Sequence, residues 1–176
     1  MTAQANFSEY LALVAKVDEK FAQILARHPA QFSCRAGCHS CCQPGLTISI
    51  AEFQHIALFL QDNPLIAGSM SAQDAHAGSR CRWLDGQGHC TIYPVRPIIC
   101  RSHCAPIKFQ QNTQLRRDVC SLNFTNLSLA AIDALDFVDI DTLNTILSLI
   151  NRRFDPDRHA ERFALERAVI APLKPS

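Results

Sequence analysis

Much that would assign a common partner or reaction to a chain of this size is missing. Charge of one sign is absent: 17 basic residues stand against 16 acidic ones, a formal net charge of +1. No strong field therefore draws the chain to nucleic acid or to an anionic membrane. Long apolar runs are absent too, and none approaches the roughly 18–20 residues of a membrane span. Near the N-terminus Glu9, Lys16, Asp18, Glu19 and Lys20 interrupt the apolar stretch that a signal peptide needs, so a cytoplasmic location is expected. Glycine is scarce, with six residues in 176, and no glycine-rich loop is present to cradle a nucleotide. There is no HExxH-type motif, no internal repeat and no low-complexity tract. What remains is a globular composition, 48% hydrophobic and 19% charged, at a length suited to one domain over residues 1–176.

Cysteine is absent from the first 33 residues and the last 56, yet nine cysteines lie between Cys34 and Cys120. In a reducing compartment, clustered cysteines are more often metal ligands or redox groups than structural disulfides. An odd count also opposes a fully paired disulfide framework. Ligation of a metal or cluster is therefore the leading reading, ahead of disulfides and inert buried thiols.

Around that cluster the chain reads as helical. Phe7, Tyr10, Leu11, Val14, Val17, Phe21, Ile24 and Leu25 recur at steps of three and four, which predicts an amphipathic helix over residues 6–28, stopped by Pro29. Its apolar stripe is expected to pack on the protein's own core. Ser49-x-x-Glu52 forms a capping box and starts a second helix that breaks near Asn63-Pro64. A further turn or two of helix is expected from Ser71 to Ala77. Trp83-Leu84 and Cys90-Thr91-Ile92-Tyr93, separated by Asp85-Gly86-Gln87-Gly88, suggest a small hairpin. Helical period returns over 127–172, from Leu127 to Phe154 with an interruption near Asp139–Asp141, then from Asp155-Pro156 through Phe163, Leu165 and Val169. The expected fold is a small, mostly α domain with an irregular cysteine-rich centre and one short β-hairpin. Thiolate–metal bonds would replace the apolar core that the middle segment lacks.

The cysteines fall in two groups. The first is Cys34-x3-Cys38-x2-Cys41-Cys42, in which Cys38-x2-Cys41 has the spacing of a metal knuckle and Gly37 relieves the tight turn before it. Adjacent side chains diverge, so Cys42 points to a second centre or to a thiol outside the first coordination sphere. The second group is Cys81-x8-Cys90-x9-Cys100-x3-Cys104, followed by Cys120. Arg96 and Arg101 lie beside these cysteines and would offset the negative charge of a thiolate site, or else form a solvated surface.

Together, Cys34-x3-Cys38-x2-Cys41-Cys42, Cys81, Cys90-Thr91-Ile92-Tyr93-x2-Arg96-Pro97-x2-Cys100-Arg101 and Cys120 resemble the YkgJ-type, CxxCxxCC cysteine-cluster family, described as zinc- or iron-chelating. The first gap here is three residues where the family's label has two. The resemblance spans roughly residues 34–121. It implies eight metal ligands: Cys34, Cys38, Cys41, Cys42, Cys81, Cys90, Cys100 and Cys120. Cys104 is then an extra thiol, although its distance from Cys100 also suits a ligand. A similar module occurs in flagellin lysine N-methylases, but this chain is too short for a separate methyltransferase domain.

Thiolates suit zinc, iron or a [4Fe-4S] cluster alike. Zinc is expected, with iron or a cluster as the alternative, and the spacing lacks the compact run of bacterial ferredoxins. His39 and His103 sit beside cysteines, and an exposed or hydrogen-bonded side chain is the expectation for each. Three functions stay open: a metal-binding module, a redox or metal-dependent enzyme, and a structural cysteine-rich module that binds a protein partner. Catalytic zinc keeps an open position beside a general base. The nearest acids, Asp85 and Asp118, read as a turn residue and a solvated ion pair, so closed coordination is preferred to catalysis.

Overall fold

The long helix expected near the N-terminus is α1, Ser8–Arg27, in the computed structural model, which describes residues 7–69 and 80–168. Tyr10, Leu13, Val14, Val17 and Ile24 form its buried stripe. Leu11 and Leu25, assigned to the same stripe from their spacing, are instead 44% and 38% exposed. Pro29 ends the helix by opening a 3-10 turn, Pro29–Gln31.

The chain divides into two compact units. One comprises Met1–Ala36 and Ile98–Ile150, the other Gly37–Pro97 and Asn151–Ser176. The first unit contains α1, the short helix α4 (Ile98–Ser102), the strands β2 (Ile107–Gln111), β3 (Gln114–Asp118) and β4 (Val138–Asp139), and most of α5 (Ile140–Phe154). Its sheet has the order β3-β2-β4, with β2 antiparallel to β3 and parallel to β4. Ile24, Ala105, Phe124, Ile132, Phe137 and Val138 form its buried apolar cluster, with Phe21, Phe32 and Ile107 packed against it. Asp139 starts α5 by accepting the Thr142 N–H at 3.0 Å. The helix expected from Leu127 begins only there: Leu129–Ala131 and Ala134–Asp136 are 3-10 turns, opened by the Ser128 and Asp133 side chains, which accept the Ala130 and Leu135 N–H groups.

The second unit contains β1 (Thr47–Ile48), α2 (Ile50–Asp62), α3 (Pro64–Ser69) and β5 (Phe163–Ala164). The capping box is present: the Glu52 carboxylate accepts from the Ser49 N–H and hydroxyl, both at 2.8 Å. Trp83, Ile48, Ile50, Ile56, Leu60, Ile92 and Leu165 are fully buried. The segment after Phe154 departs from expectation. In place of a helix through Phe163 and Leu165 it forms β5, antiparallel to β1 in the register Thr47↔Ala164 and Ile48↔Phe163, then a 3-10 turn, Leu165–Arg167. It fastens two loops: Leu165 N–H donates to Leu46 O at 2.8 Å, and the Leu165 carbonyl accepts the Trp83 indole N–H at 3.0 Å.

Among the described residues, helices are joined by two small sheets, more β structure than the one hairpin expected. The expected hairpin itself shrinks to a single bridge, Leu84↔Cys90. The full hairpin is β2–β3, turned by Asn112 and Thr113 at φ of 50° and 64°. The turns expected from Ser71 to Ala77, and Val169, lie outside the described residues. Among the described residues no helix is long and apolar enough to cross a membrane.

Candidate metal centre

Five cysteines fall in the second unit. Gly37 has the positive φ, +83°, that its place before the knuckle requires. The Cys42 N–H then donates to His39 O and the Gln43 N–H to Cys41 O, each at 2.9 Å. These bonds coil Cys38, Cys41 and Cys42 into a tight loop. The Cys81 N–H reaches Cys42 O at 2.8 Å and ties this loop to a distant part of the sequence. From Cys81 the chain turns at Asp85, whose Oδ1 accepts the Gln87 and His89 N–H groups at 2.8 Å. The His89 bond is the largest cause holding Asp85 below the usual carboxylate range. A turn residue is therefore what Asp85 is. The Cys90 bridge and the Thr91 N–H bond to Trp83 O at 2.8 Å close the loop.

Gly88 completes this arrangement with φ of +84°, and a Cβ there would meet His39 Cδ2 at 2.6 Å. The loop carrying Cys90 and the knuckle loop thus approach within van der Waals contact. His39 is exposed and lies against this backbone, and His103 is exposed in the first unit.

Burial pushes the Cys81 thiol up; the Trp83 N–H opposes this, while Cys90, Glu166 and Cys41 raise it further. Cys90 is also pushed up, chiefly by burial, against the Ile92 N–H and the Arg96 guanidinium, which favour its thiolate. Of the two arginines singled out by sequence, Arg96 therefore acts on a cysteine, and it also lies 3.9 Å over the Tyr93 ring. Arg101 is buried instead against Asp18, with a 2.6 Å ion pair.

Four cysteines fall in the first unit: Cys34, Cys100 on α4, Cys104 just beyond it, and Cys120. The structure brings Cys104, the extra thiol of the eight-ligand assignment, to 3.0 Å from Cys34, sulfur to sulfur. Asn123 joins this pair, and sequence reasoning missed it. It is 2% exposed, and its Nδ2 donates to Cys104 O at 2.8 Å and Cys34 Sγ at 3.3 Å. Only its position three residues after Cys120 could have marked it.

Among the described residues no two cysteines are joined as a disulfide. Among the same residues no three His, Cys, Asp or Glu side chains are gathered as they would be round a metal ion. The donor chemistry nevertheless fits a soft or borderline metal. Burial disfavours the thiolates of Cys81 and Cys90, and an ion would supply the positive charge that stabilises them.

Clustered thiols on short loops braced by glycine turns define a cysteine-rich metal-chelating class of domain. Residues 33–121, just over half the chain, match the CxxCxxCC family, "Putative zinc- or iron-chelating domain", and the chain belongs to that family. No curated protein matches the chain, and no solved structure does.

Proposed function

We propose that the protein is a zinc-binding module whose ions are held by the thiolates of Cys34, Cys38, Cys41, Cys42, Cys81, Cys90, Cys100 and Cys120, in closed coordination and without catalysis at the metal. The observation that carries this reading is the 2.8 Å bond from the Cys81 N–H to Cys42 O, which ties the knuckle loop to the stretch that runs from Cys81 to Cys90. Two cysteine-bearing stretches distant in sequence are thereby held side by side. A tetrathiolate zinc site has a net charge of about −2, and Arg96 is placed to offset part of it at Cys90. Neither Asp85, bound into its turn, nor Asp118, whose Oδ1 accepts the Val119 N–H at 2.8 Å, is supplied with a role as general base.

Elemental analysis of protein prepared without oxygen or chelator tests this. Stoichiometric zinc in a colourless sample is the expected result, and Cys81→Ser and Cys38→Ser each lower it. Full metal content in both variants would remove them from the ligand set. A coloured sample with iron would replace zinc by iron or a cluster on the same thiolates.

A further inference from the structure

Cys34 and Cys104 are 70 residues apart in sequence and 3.0 Å apart at their sulfurs. Two thiolates on one tetrahedral zinc, each about 2.3 Å from the ion, stand about 3.8 Å from each other. A disulfide needs about 2.05 Å. The observed spacing is well inside the zinc edge, and each sulfur need move only about half an ångström to reach bonding distance.

The surroundings hold the two in place. Asn123 donates from Nδ2 to the Cys34 sulfur and to the Cys104 carbonyl, while its Oδ1 accepts the Ser33 N–H at 2.9 Å. The next residue, Phe124, has a φ of 54°, a region costly for a bulky side chain. Its N–H donates to Gln31 O at 2.9 Å, and its ring lies 5.3 Å from that of Phe32. The stretch leading to Cys34 is thus clipped to the stretch following Cys120. Both sulfur-bearing residues are half-buried, leaving a path for a small reagent.

We propose that Cys34 and Cys104 form a reversible dithiol–disulfide couple that exchanges with a low-molecular-weight disulfide. One cysteine thiolate attacks the small disulfide, forming a mixed disulfide and expelling one small thiolate. The second cysteine then attacks the protein sulfur of that mixed disulfide, forms the Cys34–Cys104 bond and expels the other small thiolate. Two electrons pass from the protein pair to the small disulfide, and the two cysteine protons end on the two released thiols. Asn123 is a positioning residue that holds the Cys34 sulfur toward Cys104. The couple stands independently of the zinc reading; where both hold, oxidation withdraws Cys34 from the metal.

The test is incubation with oxidised glutathione, alkylation and tryptic mapping, on metal-free and zinc-loaded protein. Arg27, Arg35, Arg101 and Lys108 place the two cysteines on separate single-cysteine peptides, His28–Arg35 and Ser102–Lys108. These peptides should appear linked in the metal-free sample and separate on reduction. Cys104→Ser should abolish the link and leave glutathione on Cys34. Unlinked peptides in oxidised metal-free protein, or a link from Cys34 to another cysteine, would overturn the couple. Zinc content before oxidation reports separately on the metal: a metal-free isolate that forms the link keeps the couple and loses the zinc reading.

Discussion

The thiols of the two units are held in different ways. In the second unit Cys81 is buried and Cys90 half-buried, and burial is the main cause pushing both thiols up. In the first unit Cys34 and Cys104 face each other and share the Asn123 side chain. Burial outweighs the one countercharge at Cys90, Arg96, and makes a thiolate unfavourable until a cation arrives. A second sulfur with a donor amide beside it brings covalent pairing within reach instead. Thiols within one family domain are thus held in two physically different ways.

The strongest way to break this comparison is Trp83→Ala. Trp83 is fully buried between Cys81 and Cys90 in sequence, and its loss should cost about 3–5 kcal/mol in chemical denaturation. Alkylation of Cys81 and Cys90 should accelerate more than that of Cys34; equal acceleration at all nine cysteines would erase the distinction between the units.

Asn123→Ala acts on the other side. It removes the partner of the Cys104 carbonyl and should cost about 1–3 kcal/mol. It should also slow formation of the Cys34–Cys104 link while leaving zinc retention at Cys81 unchanged. A normal rate of linking would strip Asn123 of its positioning role.

The smallest effect is one of pH on metal-free protein. Because the folded-state values of Cys81 and Cys90 are raised, the folded form holds protons that the unfolded chain gives up. Their contribution to stability is complete below the unfolded cysteine value of about 8.5 and is lost as pH rises through the folded values. Denaturation midpoints should fall over that alkaline range, and less steeply in Cys81→Ser. A midpoint that rises with pH there would contradict the burial argument.

Structure set by near neighbours is legible in the sequence. The period of α1, the Ser49–Glu52 capping box and the turn roles of Gly37 and Asp85 each depend on residues within a few positions. The β2–β3 hairpin was missed because Asn112-Thr113 places a β-branched residue at positive φ, a poor match to the Asn-Gly signature. The apolar spacing around Phe163 and Leu165 fits helix as well as strand, and only β1 beside it selects the strand Phe163–Ala164. Leu11 and Leu25 satisfy the helical period yet remain exposed, since periodicity marks a broad face and packing selects only part of it.

The amino-acid sequence by itself determined the family, the nine thiols available for metal and the caps and turns around them, because spacing and short-range hydrogen bonds need no distant partner. Only the tertiary structure decided which cysteine-bearing segments meet: Cys81 against the knuckle loop through Cys42 O, and Cys104 rather than an implied ligand against Cys34. The reason is physical. Convergence across 70 residues is set by the path of the backbone and by buried groups such as Asn123 and Leu165, whose partners no local pattern reveals.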